Sequence, residues 1–296
     1  MRLAPVLVCV SVWAAAADQQ GPTIRTDVNL VQVNLTVTDK SGHPVTGLPK
    51  GAFELFVDDV PQPISLFQGE DAPVTAAIVI DNSASMKPKR EQVIAAARAF
   101  ARASNPRDQM FVVHFNERAR FGLKEGTPFT GDIAELEAAI ARFQLGGTTA
   151  LYDAILTATS RFSRATNSGK VLLIITDGGD NSSNAKLPDV LSAVAKYDAV
   201  VFAVGIFDPS DKDSNPRALT EMAKETGGAA YFPTELSEVT RICQRIARDV
   251  RRQYTLGFAG AEDGKYHRIR VVAKDPTRGQ LDVHTRIGYF AEKRQK

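Results

Sequence analysis

The sequence predicts an α/β fold: a doubly wound, mostly parallel sheet over residues 72–252, inserted in a small antiparallel β-sandwich built from the segments on either side, 23–71 and 253–292. Three observations carry this. Wholly apolar runs alternate with amphipathic helical patterns through the middle of the chain. Both flanks show period-two alternation, broken by Gly, Pro and Asp turns. Neither flank has enough strands to bury a face by itself, whereas the two together do.

In the centre, the apolar runs at 75–80, 110–115, 171–176 and 200–206 read as strands covered on both faces, with a shorter one at 229–232. Between them Val93, Ile94, Ala97, Phe100 and Ala101 mark one helix, Ile133, Leu136, Ile140 and Phe143 a second, and Leu151, Ile155, Ala158 and Phe162 a third. Asn215 and Pro216 supply a cap and a first-turn proline for a further helix, which Gly227-Gly228 ends. The last helix, 236–252, lines up Leu236, Val239, Ile242, Cys243, Ile246 and Val250, with its five arginines mostly off that stripe. A sheet of this kind binds ligands beyond the carboxyl ends of its strands.

In the first flank, Val31, Val33, Leu35 and Val37 alternate with polar residues, and Phe53, Leu55 and Val57 resume the pattern after "DKSGHPVTGLPKG". The second flank reads "YTLGF", "YHRIRVVA" and "QLDVHTRIGYF", separated by the turn signals "AEDGK" and "DPTRG".

Residues 1–17, "MRLAPVLVCVSVWAAAA", carry one arginine, an apolar run too short to span a bilayer, and small residues where a signal peptidase cuts. A secretory signal cleaved near Ala17 is expected, and with it a secreted or periplasmic location. Cys9 lies in that leader, which leaves Cys243 as the one mature thiol and no internal disulfide. No later run is long enough to span a membrane. The 36 basic and 34 acidic residues are spread along the chain, so no basic field exists to hold nucleic acid or anionic lipid.

The chemistry concentrates where strands end. "IVIDNSASM" places Asp81, Ser83 and Ser85 in the loop after one buried strand, "LLIITDGGDN" places Asp177 after another, and "QLGGTTALYDA" places Thr148 after a glycine pair at the start of a helix. Asp and Ser are also good helix caps, and from the first stretch alone a cap is the plainer reading. Taken together, carboxylates and hydroxyls without Cys or His suit a hard divalent cation, Mg²⁺ or Mn²⁺, over Zn²⁺.

The D-x-S-x-S of 81–85, the Thr of "GGT" and the Asp of "ITDG", in that order on alternating strands and helices, resemble the metal-ion-dependent adhesion site (MIDAS) of von Willebrand factor type A domains. The flanking "VTDKSGHPVTGLPKGAFELFVDD", "YTLGF", "DGKYHRIRV" and "RIGYF" resemble a secreted bacterial group of such proteins best known from acidobacteria. The resemblance implies that Ser83, Ser85 and Thr148 are direct metal ligands, that Asp81 and Asp177 stand behind them, and that a partner protein's Asp or Glu completes the coordination. Thr149 competes with Thr148 for its place; the family's glycine pair, laid on Gly146-Gly147, favours Thr148. In related proteins the last helix slides when the site takes a ligand, which implies a relay through 236–252 into the C-terminal strands.

Asp153 and Asp180 lie near enough to support the metal ligands from behind; a solvated helix face is the plainer reading of the first and a loop or capping role of the second. Asp211, Asp213 and Asn215 have the spacing of a calcium loop, but Pro216 and Met222 stand where glycine and glutamate are needed, so an acidic loop with Asp208 is expected. His114 sits inside an apolar strand, His43, His267 and His284 show no ligand spacing, and no G-x-S-x-G elbow occurs. The leading expectation is a non-enzymatic module that captures an acidic partner through Mg²⁺ or Mn²⁺. A metal-dependent hydrolase and a structural assembly module with weak metal binding are the alternatives.

Overall fold

The computed structural model of the chain describes residues 29–142, 145–207, 214–291 and 293. The expected leader with Cys9, Phe143 and the acidic residues Asp208, Asp211 and Asp213 lie outside the described residues.

The chain enters through β1 (Leu30–Thr38), β2 (Phe53–Val57), β3 (Val60–Gln62) and β4 (Leu66–Gln68). In β1 the alternation of the sequence becomes burial: Val31, Val33, Leu35 and Val37 are inside, while Gln32, Thr36 and Thr38 are partly exposed. The α/β body follows: β5 (Val74–Asp81), α1 (Arg90–Ala103), β6 (Gln109–Phe115), β7 (Ala119–Phe121), α2 (Ile133–Ala141), α3 (Leu151–Arg161), β8 (Gly169–Thr176), α4 (Leu187–Lys196), β9 (Ala199–Gly205), α5 (Pro216–Thr226), β10 (Ala229–Tyr231) and α6 (Leu236–Arg251). The chain ends in β11 (Tyr254–Ala259), β12 (Tyr266–Asp275), β13 (Gly279–Thr285) and β14 (Gly288–Phe290).

The body's sheet has the order β10-β9-β8-β5-β6-β7, parallel except for β7, which pairs antiparallel with β6. Helices cover both faces: α1 packs on α2 and α6, and α4 lies between α3 and α5. Every residue of β5 is therefore buried, which explains why its sequence lacks alternation. The chain starts in the middle of this sheet, passes to β6 on one side and to β8 on the other. The carboxyl end of β5 is thus a topological switch point, where flanking loops diverge and leave a crevice.

Strands from both flanks share one antiparallel sheet of eight strands, β3-β2-β12-β13-β1-β11-β4, with β14 beside β12. The N-terminal β1 sits between the C-terminal β11 and β13. Instead of two stacked sheets, one sheet folds over: Phe53 of β2 and Phe67 of β4 both meet Tyr254 of β11, with ring centroids 5.1 and 6.3 Å apart. Its core, with Val33, Leu35, Leu55, Leu256 and Ala273, is separate from that of the α/β body. The long run 280–290 is split at Arg286, whose guanidinium turns inward to Asp198 (2.7 Å) just before β9.

The cap and stop signals hold: Asn215 Oδ1 accepts from Ala218 N (3.1 Å), and Gly227 ends α5 at φ 78°. Cys243 is buried on the inner stripe of α6, and burial pushes its thiol up to about 12. Among the described residues no helix is long and apolar enough to cross a membrane.

Candidate metal centre

Asp81 is the last residue of β5 and is fully buried. One carboxylate oxygen accepts the Ser83 N–H (2.8 Å), which folds the loop back on the strand end; the other accepts the Thr176 hydroxyl (2.6 Å) from the last position of neighbouring β8. Burial raises the Asp81 carboxyl to about 6 against the pull of these hydrogen bonds, and the neighbouring Asp177 charge adds to the rise.

Ser83 and Ser85 have their hydroxyl oxygens 3.1 Å apart, and Ser85 Oγ donates to Asp177 Oδ1 (2.9 Å). Asp177 follows β8 and is itself buried. The other Asp177 oxygen accepts from Lys89 Nζ (2.7 Å), which also donates to the Ile206 carbonyl beyond β9 (3.0 Å). Four of the five residues expected at the site therefore form one hydrogen-bonded group at the carboxyl ends of β5 and β8.

The threonine loop closes over this group through its backbone. Gly146 N donates to Asn82 O (2.9 Å) and Ala84 N to Gly147 O (3.3 Å), so the 146–147 and 82–84 loops are laced together. Gly146 and Gly147 hold φ values of 136° and 80°, which other residues rarely adopt, and a Cβ on Gly147 would collide with the Glu117 carboxylate. The glycine pair is what lets this loop approach. The two threonines then part: Thr148 is exposed, whereas Thr149 is buried with Oγ1 3.8 Å from where a Cβ of Gly178 would lie. Asn181 fixes Thr149 from both sides, accepting from its N–H (2.8 Å) and donating to its carbonyl (3.0 Å).

The nearby acids have structural work. Asp180 Oδ1 accepts from Tyr152 N (3.2 Å) at the start of α3 and from the Ser183 hydroxyl, a loop and capping role as expected. Asp153 is not a solvated acid: its carboxylate accepts the N–H groups of Asn184 and Ala185 (both 3.0 Å) and so holds the loop before α4. His114 is buried in β6 with Nε2 2.8 Å from Ala139 O, and burial lowers its pKa.

Lys89 and Thr176 escape a reading of the sequence. A lysine just before a helix looks like a solvated charge, and its partner lies 88 residues away. Thr176 differs from its apolar neighbours in β8 only by a hydroxyl.

The donor set fits a hard cation. All candidate donors are oxygens, two of them carboxylates and the rest hydroxyls, and an ammonium already stands on one carboxylate in the position of a counter-cation. Among the described residues no group of three or more His, Cys, Asp or Glu could hold a metal, whereas here hydroxyls stand beside the two carboxylates. An all-oxygen set favours Mg²⁺ or Mn²⁺ over Zn²⁺.

Comparison with known proteins bears on the fold. No curated protein sequence matches the chain. Among solved structures, a von Willebrand factor type A protein from Catenulispora acidiphila superposes with a TM-score of 0.57 at 16% identity, covering 86% of this chain and 76% of that one. Proximal thread matrix protein 1 from the mussel byssus, described with a zinc-occupied MIDAS motif, superposes with a TM-score of 0.51 at 19% identity, covering 66% of this chain and 49% of its own. At these identities the likeness is one of fold. The family model for the von Willebrand factor type A domain matches residues 77–245, more than half of the sequence, and the chain belongs to that family.

Proposed function

We propose that the protein is a metal-dependent protein-binding module, in which Asp81, Ser83, Ser85, Asp177 and one of the threonines Thr148 and Thr149 hold Mg²⁺ or Mn²⁺ and an acidic side chain of a partner protein docks on it. Domains of this family commonly bind proteins through a divalent metal at a MIDAS and are typically non-enzymatic. The observation that carries the reading is the single hydrogen-bonded group running Ser83, Ser85, Asp177 at the switch point of the sheet, with Asp81 on the same strand end.

A bound divalent ion supplies an electrophilic centre for a carboxylate. The chain's own residues keep it so. Ser83 and Ser85 offer oxygen without negative charge, and Asp81 is shared with Thr176 and Ser83 N, so the site neutralises a cation only in part. Of the two threonines we assign the ligand role to Thr149, because its hydroxyl lies against the loop that follows Asp177, whereas Thr148 is exposed. The 72–252 segment serves as an inserted unit presenting this site, with α6 as its link to the antiparallel sheet. A secreted or periplasmic location fits the leader. Catalysis is not supported: the one histidine of the α/β segment is buried with its Nε2 on Ala139 O.

Calorimetric titration of Mg²⁺, Mn²⁺ and Zn²⁺ into the wild type and Asp81→Asn tests the reading. Asn preserves an acceptor for Ser83 N, so the fold survives while the charge goes. Binding in the wild type that is lost in the variant supports it. Equal binding in both, or none in the wild type, returns the loop to a structural role. Zn²⁺ preferred over Mg²⁺ would move the chain toward the zinc chemistry described for the mussel protein.

A further inference from the structure

Lys89 closes the short 3-10 turn Ala84–Lys89 that carries Ser85 toward α1. Its side chain is only 14% exposed and Asp177 is 0% exposed, so the 2.7 Å ion pair between them lies largely out of water. Two of the three ammonium protons are placed, one on Asp177 Oδ2 and one on Ile206 O. The other Asp177 oxygen accepts from Ser85. Both oxygens of the carboxylate that a divalent ion requires are therefore engaged by donors, and one donor carries a full positive charge. Salt screens such a pair poorly. An ammonium held 2.7 Å from Asp177 and a divalent ion using the same carboxylate repel each other strongly at this depth.

We propose that Lys89 is a built-in competitor for the metal: its ammonium holds Asp177, a divalent ion displaces it, and this exchange sets the metal affinity of the site. The inference rests on the metal-site reading above. A lysine suits the task because a flexible four-carbon stem lets the ammonium swing outward, as a bidentate guanidinium would not. The exchange also couples two structures. While Lys89 is in place it ties the serine turn to the end of β9 through Ile206 O; its release unties them as the ion enters. By linkage the ion and the Lys89 pairing oppose each other by the same factor, for which roughly 5- to 150-fold is the usual span.

The test uses the full chain. Mg²⁺ and Mn²⁺ are titrated calorimetrically into the wild type, Lys89→Met, which keeps the length of the stem without the charge, and Asp81→Asn. Binding at least about fivefold tighter in Lys89→Met than in the wild type is expected. In parallel, reductive methylation of the wild type read by mass spectrometry follows Lys89 itself: slow modification without added metal and faster modification with saturating Mg²⁺, with exposed Lys196 unchanged as the internal reference. Labelling decides the question if Lys89→Met fails to fold. If Asp81→Asn loses binding while Lys89→Met binds as the wild type does or more weakly, or if Lys89 labelling ignores bound Mg²⁺, the competitor role is wrong and the metal site stands. If neither the wild type nor Lys89→Met binds metal, or if Asp81→Asn binds as well as the wild type does, both readings fall together.

Discussion

The two ends of the parallel sheet each hold two carboxylates, all buried but the half-buried Asp198, and treat them differently. At the carboxyl ends, Asp81 and Asp177 are answered by the Ser83 N–H and a lysine, and also by the hydroxyls of Thr176 and Ser85, which have no counterpart at the other end. At the amino ends, Asp108 accepts the N–H groups of Val74 (2.8 Å) and Asn105 (3.0 Å), and Asp198 faces the Arg286 guanidinium (2.7 Å) and the N–H of Gln32 (3.2 Å). Burial raises the acid at both ends, Asp81 and Asp108 alike to about 6. A perturbed pKa thus does not separate a binding site from a fastener here. Partner chemistry does. A hydroxyl has lone pairs and can rotate from donating to a carboxylate to facing a cation, whereas a backbone N–H or a guanidinium only donates. The hydroxyls at one end suit the proposed ion; at the other the Asp198–Arg286 pair is a clamp that joins the α/β body to the antiparallel sheet.

The clamp should break hardest. Arg286 and Asp198 are 8% and 24% exposed, and Arg286 also donates to the Gln32 carbonyl in β1. Arg286→Ala leaves the half-buried Asp198 with the Gln32 N–H but without its guanidinium, and is expected to cost about 3 kcal/mol by urea denaturation. Metal affinity should stay within about twofold of wild type, since the clamp sits at the opposite end of the strands. An affinity loss as large as the stability loss would collapse the distinction between the two ends.

Asp108 gives the next largest effect, read through pH. Its folded pKa, about 6, lies above its ordinary value of 3.8, so between these the folded state holds the proton more tightly. The stability it contributes is present in full below about pH 4 and is lost as pH rises through about 6, by at most roughly 3 kcal/mol. Asp108→Asn removes this titration. The wild-type stability minus that of the variant should fall across that window and be flat above it. A difference independent of pH would mean that the two N–H groups, not desolvation, govern Asp108.

The strands of the α/β body were legible because burial on both faces leaves an unbroken apolar run, as in "AAIVI" and "VLLIIT". The helix α4 is not legible: its stripe of Val190, Leu191 and Val194 is short, and it begins in a loop held from α3 by Asp153. The three-residue β7 exists through pairing with β6 and carries no readable period. Much the same divides the site. Asp81, Ser83, Ser85 and Asp177 announce themselves by standing at strand ends. Lys89 and Arg286 do not, because each owes its role to a carboxylate 88 residues away, and in the sequence one looks like a helix-start charge and the other like an outward strand position.

The finest ambiguity in the sequence, two adjacent threonines, is also where the smallest effect is expected. Motif position favours Thr148, while burial favours Thr149, which is 5% exposed and pinned by Asn181. Replacing either by Val removes the hydroxyl and keeps the branched shape. Thr149→Val is expected to weaken Mg²⁺ binding about tenfold, near 1.4 kcal/mol, and Thr148→Val by less than about twofold. Calorimetry at fixed pH and salt checks both. The reverse ranking would put the exposed hydroxyl on the ion, which requires the 146–149 loop to turn over and the Ala84–Gly147 and Gly146–Asn82 backbone bonds to rearrange. The carboxyl end would then be a site assembled by its ligand, and the contrast with the fixed clamp at the other end would be sharper still.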